Sequence, residues 1–280
     1  MNTRTNKNKL LIIINADDLG ENPQINQAIA KYARNGLISS ASILANGNDF
    51  EGAKQFAFEY THISTGAHLN LSQFKSLSRP DIFLEKGITD ENYNFTGSAK
   101  YTSKTKIAFD QQLVNAIYEE WKLQLEKIFD NKVFVSHIDG HNHVHYRYEL
   151  LSALKKLQEK FKINKVRIKD VKPVAFYGLF NKSLPKKTPP LRRELSNLVW
   201  NNLLKVMNPP TKTTDHVFSY LSLCKYLSTG SKSPRRGVFE VVVHPGSNYL
   251  DYFAEENALV EKRMIEQLIP DFTLITYNDL

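Results

Sequence analysis

Cysteine is almost absent from this 280-residue sequence, and no long apolar run is present. The lone Cys224 cannot form an intramolecular disulfide, which excludes a disulfide scaffold and favours a reducing compartment such as the cytoplasm. The amino-terminal stretch is basic, but its apolar run extends only from Leu10 to Ile14. Signal peptides and membrane spans need longer runs, so we expect a cytoplasmic protein with no membrane partner.

A concentrated basic patch is also lacking, although the formal net charge is +8. The denser groups of Lys and Arg lie near residue 8, at 184–195 and at 231–237, without interleaved aromatic residues. Nucleic-acid sites cluster their basic charge on one surface. We therefore expect a solvated basic surface and no nucleic-acid partner.

Apolar runs alternate with helical patterns along the chain. The run KLLIII is continuous and β-branched, which is typical of a strand buried on both faces of a parallel sheet. Periodicity and turn residues predict strands at 9–14, 37–46, 63–71, 132–138, 165–168, 238–246 and 272–277, and helices at 21–36, 49–60, 108–129, 147–161, 191–206 and 253–268. This order predicts an α/β protein, either a (β/α) barrel or an open doubly wound sheet.

Two regions do not follow the alternation. The stretch 72–105 is long and polar, and we interpret it as a lid or an insertion. The region at about 170–230 is predicted to be an irregular insertion, apart from its helix at 191–206.

Ionisable residues occur where four predicted strands end. Asp17 and Asp18 end the first strand, His68 ends the third, and His244 ends the run VFEVVV. Parallel α/β folds bind ligands at the carboxyl ends of their strands, so these side chains are expected at one rim. Imidazole and carboxylate groups together suit a divalent metal ion, with a neighbouring carboxylate as a base for water.

A fourth strand end carries the unusual segment SHIDGHNHVHYRYEL at 136–150. Five ligands from one segment would leave no room for the other strands, so most of its members must orient ligands, contact substrate or support the fold. His137 is interpreted as structural and Asp139 as a hydrogen-bond acceptor for an imidazole. His143 and His145 stay open between metal ligand, support of a ligand and the start of a helix.

The sequence resembles the carbohydrate deacetylases of the ChbG/YdjC type, which are distantly similar to polysaccharide deacetylases. The resemblance rests on motifs in family order: NADDLG (15–20), GAHLNL (66–71), SHIDGHNHVH (136–145), VRI (166–168), VFEVVVHPG (238–246), a helix that contains Arg263, and LITYNDL (274–280). These motifs span nearly the whole chain. Leu19 stands where the family more often has phenylalanine, and the 72–105 stretch matches no family segment.

The resemblance implies one distorted (β/α) barrel domain over residues 1–280. It implies one divalent ion, Mg²⁺ or Zn²⁺, and removal of N-acetyl groups from amino sugars or chitooligosaccharides by attack of metal-bound water. The implied metal ligands are Asp18, His68 and His141, with Asp17 as general base, His244 as acid or substrate contact, and Arg167 near the site; Asp139, His143 and His145 remain candidates for contact with substrate or for support of the ligands.

Other classes stay open on the sequence. A metal-dependent phosphoesterase or amidohydrolase could use similar ligands on a similar barrel, although two-metal phosphoesterases need more bridging carboxylates. A non-catalytic carbohydrate- or nucleic-acid-binding protein is the rival from another class. A homodimer is compatible with the sequence.

Overall fold

The computed structural model describes residues 10–97, 110–169, 191–220, 223, 236–247 and 272–280. Cys224, Arg263, the predicted helix at 253–268 and parts of the two predicted insertions lie outside the described residues. In chain order the elements are β1 (Leu10–Leu19), α1 (Pro23–Arg34), β2 (Ser40–Ile43), α2 (Phe50–Glu59), β3 (Ser64–Leu69), α3 (Asp81–Glu85), α4 (Gln111–Asp130), β4 (Ile138–Gly140), α5 (Leu151–Phe161), α6 (Leu191–Val206), β5 (His216–Ser219), β6 (Gly237–Val243) and β7 (Phe272–Leu274). Short 3₁₀ segments lie at His141–Tyr146, Tyr148–Leu150 and Tyr277–Asp279.

The strands form one parallel sheet in the order β4-β3-β2-β1-β6-β5, and β7 pairs with the first residues of β1. Two isolated parallel bridges, Ile138 to Val166 and Lys165 to Lys212, extend the pairing from β4 towards the residues before β5. The sheet is curled into a half-barrel with flanking helices. The α/β prediction is confirmed.

Burial explains why β1 lies at the centre of this sheet. Leu10, Ile12, Ile13 and Ile14 are each at most 3% exposed, as expected for a strand with a neighbour on each side and helices over its face. Full burial of such a side chain contributes about 1.5–3 kcal/mol relative to exposure. The continuous apolar run therefore determines the central position of β1.

Helix α1 returns the chain alongside the sheet. Its first residue, Pro23, suits an N-terminal turn, and the Asn22 side chain accepts a hydrogen bond from the Ile25 amide. The buried face of the helix carries Ile25 and Ile29. In the described part of the chain, no helix is both long and apolar enough to span a membrane.

The predicted strand at 132–138 is wrong in its bounds, because β4 contains only Ile138–Gly140. The preceding residues still run beside β3: the Ser136 amide donates to the Thr65 carbonyl, and the Thr65 hydroxyl donates to the Phe134 carbonyl. Phe134 is 69% exposed. The apolar residues of this stretch therefore do not form a regular strand that is buried on both faces.

Candidate metal centre and catalytic site

A bulge in β1 brings two consecutive aspartates to the same site. Ala16 pairs with Ala41 and Leu19 with Ile43, so three steps along β1 correspond to two steps along β2. Asp17 and Asp18 lie within this irregularity, and Asp18 has the left-handed φ of 69°. Neighbours in a regular strand face opposite sides, whereas a bulge redirects a side chain. Strand β1 runs to Leu19, five residues past the predicted strand at 9–14, so both aspartates lie at its carboxyl end.

Strand register places His68 beside Asp139. The two residues are partners across β3 and β4, and His68 Nδ1 lies 2.7 Å from Asp139 Oδ1. The opposite ring nitrogen, Nε2, lies 3.3 Å from Asp18 Oδ1 and 3.9 Å from Asp17 Oδ2. A carboxylate on one imidazole nitrogen orients the other nitrogen towards a metal in many metalloproteins. His68 has that arrangement.

His141 completes a buried group at the end of β4. It follows Gly140, and its Nδ1 lies 2.7 Å from Asp18 Oδ1. Ligand atoms of Asp18, His68 and His141 lie within 4.8 Å of one another. The sequence expectation that these three residues share a site therefore agrees with the geometry.

These residues fit a divalent ion. His141 Nε2 is buried and has no hydrogen-bond partner, although buried polar atoms are nearly always paired. Two imidazoles and a carboxylate are a ligand set that divalent ions such as Zn²⁺ and Mn²⁺ accept. The buried group of His and Asp could therefore hold a metal ion.

The pKa values of two members of this group are strongly shifted. Burial alone would raise the pKa of Asp18, but the charge and hydrogen bond of His141 and the hydrogen bond of His68 hold it well below its usual value. Burial alone would lower the pKa of His68, but Asp139 and Asp17 outweigh it and raise this pKa to about 10. Without an ion, positive charge on His68 thus balances the surrounding carboxylates.

Asp17 is held by Arg167. The guanidinium is fully buried and donates from Nη1 to Asp17 Oδ2 at 2.8 Å and from Nη2 to Oδ1 at 2.7 Å. The Asn15 side chain also donates to Oδ1, at 2.7 Å. Burial raises the pKa of Asp17, but the charge of Arg167 outweighs it, so the pKa is lowered. Asp17 is therefore a fixed, ionised carboxylate.

Asp17, His68 and Asp139 also lie close enough together to ligate an ion. Arg167 Nη2, however, lies 2.7 Å from oxygens of both Asp17 and Asp139. A guanidinium stays charged in proteins and repels a cation. The group of Asp18, His68 and His141 is therefore the better cation site among the described residues.

His244 lies on the open side of Asp17. Its Nε2 is 3.9 Å from Asp17 Oδ2, and its side chain is 23% exposed, compared with 4% for Asp17. Strand β6 positions it, because Val243 is the partner of Ala16 in β1. His244 is thus the more accessible of the two side chains.

The other histidines of the 136–150 segment, His137, His143 and His145, have different environments and lie outside the group of Asp18, His68 and His141. His143 is exposed, has a φ of 58°, and stacks on Tyr146 with 5.2 Å between ring centroids. His145 is fully buried, packs against Tyr146 at 4.1 Å, and lies outside the group of Asp18, His68 and His141. Burial and then Arg167 lower the pKa of His137 to about 3, so this ring is neutral.

Besides Asn15, three residues near the site have no role in the sequence-based predictions. Glu240 is fully buried and accepts a hydrogen bond from Arg167 Nε at 2.7 Å and another from the Tyr277 hydroxyl. The Ser42 hydroxyl donates to Asp139 Oδ2 at 2.6 Å. A lone acid inside VFEVVV could have signalled Glu240, whereas no local pattern identified the role of Ser42 or Tyr277.

The chain belongs to the YdjC-like protein family, whose model matches residues 11–268. Among curated proteins it is similar to the carbohydrate deacetylase of Brevibacillus brevis (25% identity over 286 residues, 96% of this chain and 99% of that protein). It is also similar to the carbohydrate deacetylase of Oceanobacillus iheyensis (23% identity over 245 residues, 88% of each chain). A crystal structure of an Enterococcus faecalis V583 protein shares the fold, with a TM-score of 0.69, 20% identity, and coverage of 97% of this chain and 98% of that chain.

Proposed function

We propose that this protein is a metal-dependent carbohydrate deacetylase that removes N-acetyl groups from amino sugars or chitooligosaccharides. Family membership and the curated relatives named carbohydrate deacetylase support the reaction class. The observation that carries the proposal is the convergence of Asp18, His68 and His141 next to the Asp17–Arg167 pair. A ligand group beside an ionised carboxylate suits the hydrolysis of an amide by water, because the ion activates the carbonyl and the carboxylate can take the water proton.

Asp18, His68 and His141 would hold one divalent ion, Mg²⁺ or Zn²⁺. Such an ion polarises the acetamide carbonyl and makes water a stronger nucleophile near neutral pH. Asp139 orients His68 through the 2.7 Å contact to Nδ1. The protein therefore contributes the ligands and fixes one of them in place.

Asp17 is proposed as the general base. Its Oδ1 accepts hydrogen bonds from Asn15 and from Arg167 Nη2, whereas Oδ2 accepts one from Arg167 Nη1 and lies 3.9 Å from a ring nitrogen of each of His244 and His68. Oδ2 is thus the oxygen placed to take a proton from the attacking water. Arg167 keeps this carboxylate ionised and prevents its rotation.

His244 is proposed as the acid or substrate contact on the open side. Water adds to the carbonyl carbon, Asp17 takes the water proton, and the C–N bond breaks as His244 donates a proton to the amine nitrogen. The products are acetate and a free amino sugar. His143 is exposed and lies two residues after His141, and it is proposed to contact the sugar.

The two alternative functions, a phosphoesterase and a non-catalytic binding protein, are less well supported than a deacetylase. A two-metal phosphoesterase needs a second cation position, and Arg167 lies between Asp17 and Asp139 where the described carboxylates would provide it. A binding protein without catalysis would not need an ionised carboxylate beside the ligand group.

An acetate-release assay tests the proposal. The full chain is stripped with a chelator and reloaded separately with Mg²⁺, Zn²⁺, Mn²⁺ or Co²⁺. It is then incubated with N-acetylated chitooligosaccharides of two to five units and with p-nitrophenyl phosphate. We expect acetate and free amine in equal amounts with at least one ion and none after stripping. Phosphate release without acetate would instead support the phosphoesterase, and binding without either product would support the binding protein.

A further inference from the structure

Glu240 is a buried acid that the proposed reaction does not use. It lies in β6 with apolar strand partners, Ile13 on one side and Val217 on the other. Burying an ionised carboxylate is costly unless it is paired and hydrogen-bonded. One oxygen of Glu240 accepts from Arg167 Nε at 2.7 Å and the other accepts from the Tyr277 hydroxyl. Each carboxylate oxygen of Glu240 therefore accepts one of these hydrogen bonds.

Tyr277 is itself fixed on three sides. Its hydroxyl donates to Glu240, its amide donates to the Ser64 hydroxyl at 3.1 Å, and its ring stacks on His137 with 3.6 Å between centroids. The 3₁₀ turn that begins at Tyr277 is capped by Thr276. The carboxyl-terminal turn thus presents a rigid donor beneath the site.

Arg167 connects this pair to the site. The Nε edge of the guanidinium contacts Glu240, while Nη1 and Nη2 contact the two oxygens of Asp17. Because a guanidinium is planar, a partner at Nε restricts the direction of both terminal nitrogens. The orientation of Asp17 therefore depends on a residue that does not touch it.

We infer that Glu240 and Tyr277 are positioning residues for Asp17, acting through Arg167. The inference rests on the proposed function, in which Asp17 takes the proton from water. Tyr277 holds Glu240, Glu240 holds the Nε edge of Arg167, and Arg167 directs Asp17 Oδ2 towards the water. The 3₁₀ turn at Tyr277–Asp279 thus helps to fix the position of the catalytic carboxylate.

The charge of Glu240 matters as well as its shape. Burial, together with the charges of Asp139 and Asp17, raises the pKa of Glu240 to about 7, against the opposing effects of Arg167 and of the Tyr277 hydrogen bond. Among the described residues, these four side chains have the largest electrostatic effects on Glu240. Loss of the Tyr277 hydroxyl removes one of the two interactions that favour the ionised form, so Glu240 then keeps its proton to higher pH.

Steady-state acetate release by the metal-loaded full chain tests this inference with Tyr277→Phe, Glu240→Gln and the double variant. We expect each single variant to lower kcat at neutral pH by about tenfold or more, with unchanged metal content and little change in KM. The kcat of Tyr277→Phe should approach that of the wild type as the pH is raised, because Glu240 regains its charge. The kcat of Glu240→Gln should stay below that of the wild type at every pH. The double variant should be no slower than Glu240→Gln alone.

Tyr60→Phe is the matched control, because the Tyr60 hydroxyl accepts from Arg34 Nη2 at 3.1 Å away from the site. It should retain wild-type kcat. If Tyr277→Phe behaves like Tyr60→Phe, or if its deficit is the same at every pH, the inference is wrong while the proposed function stands. If the wild-type enzyme releases no acetate with any ion, the proposed function fails first. Where Glu240→Gln does not fold, the pH dependence of Tyr277→Phe decides.

Discussion

Arg167 donates one hydrogen bond to each carboxylate oxygen of Asp17, from Nη1 at 2.8 Å and from Nη2 at 2.7 Å. This two-point contact fixes the plane of the carboxylate and keeps it ionised inside the protein. Asp18, the next residue, instead contacts His141 and His68. Two consecutive aspartates thus have separate environments, and their substitutions should have separate consequences.

We expect Asp17→Asn to keep the metal and to lose turnover. The amide retains the size of the carboxylate but cannot take a proton, and a general base contributes about 10²–10⁴-fold to rate. Metal content by elemental analysis and acetate release should be measured on the same sample. Asp18→Asn is the control and should lose both. Full activity in Asp17→Asn would show that another group is the base.

His68→Ala should abolish tight metal binding. The change removes one of three converging ligands and leaves Asp139 without its imidazole partner. His62→Ala is a matched control, because His62 is an exposed histidine in the loop before β3. Calorimetric titration of stripped protein with Zn²⁺ should show a large loss of affinity for the first variant only. Equal affinity in the two variants would place the ion elsewhere.

The stability of the stripped protein should depend on His68 and on pH. The folded pKa of about 10 lies above the usual 6.5, because Asp139 and Asp17 outweigh burial. Protonated His68 therefore stabilises the stripped fold fully below pH 6.5, and this contribution is lost as the pH rises through about 10. Urea unfolding of stripped wild type and His68→Gln should give free energies whose difference shrinks from pH 6.5 to pH 10. A constant difference would contradict the charged state.

Glu120 should stabilise the stretch after β3. It is fully buried in α4 and accepts hydrogen bonds from Ser76, from the Leu77 amide and from Ser78. Glu120→Ala would leave these donors unpaired, and we expect a loss of about 2–3 kcal/mol in the free energy of unfolding.

The neighbouring Glu119 provides the control for that measurement. Its side chain is 52% exposed and forms a surface ion pair with Lys122. Glu119→Ala should cost less than about 1 kcal/mol. Urea denaturation of both variants tests the comparison, and similar losses would mean that Glu120 does not anchor the 76–78 loop. The described part of the predicted lid is thus held by specific contacts to α4.

The position of the candidate site could be read from the sequence because it depends on local patterns. Buried-strand runs followed by Asp18 and His68 locate the carboxyl ends of parallel strands, and those ends lie at one rim in any α/β fold. The fold class followed from the same alternation. The predicted strand bounds at 132–138 were wrong, because the hydrophobicity of a segment does not show whether it pairs with a strand on each side.

What the sequence by itself determined is the list of chemical groups and the edge of the sheet at which they occur. Only the tertiary structure decided which of them meet. The β1 bulge turns Asp17 and Asp18 to one site, and the segment after β4 directs His141 to Asp18 while His145 packs against Tyr146. The contacts of Glu240 with Tyr277 and with Arg167 join residues 37 and 73 positions apart in the chain. No periodicity specifies such pairs, because they arise from strand register and core packing.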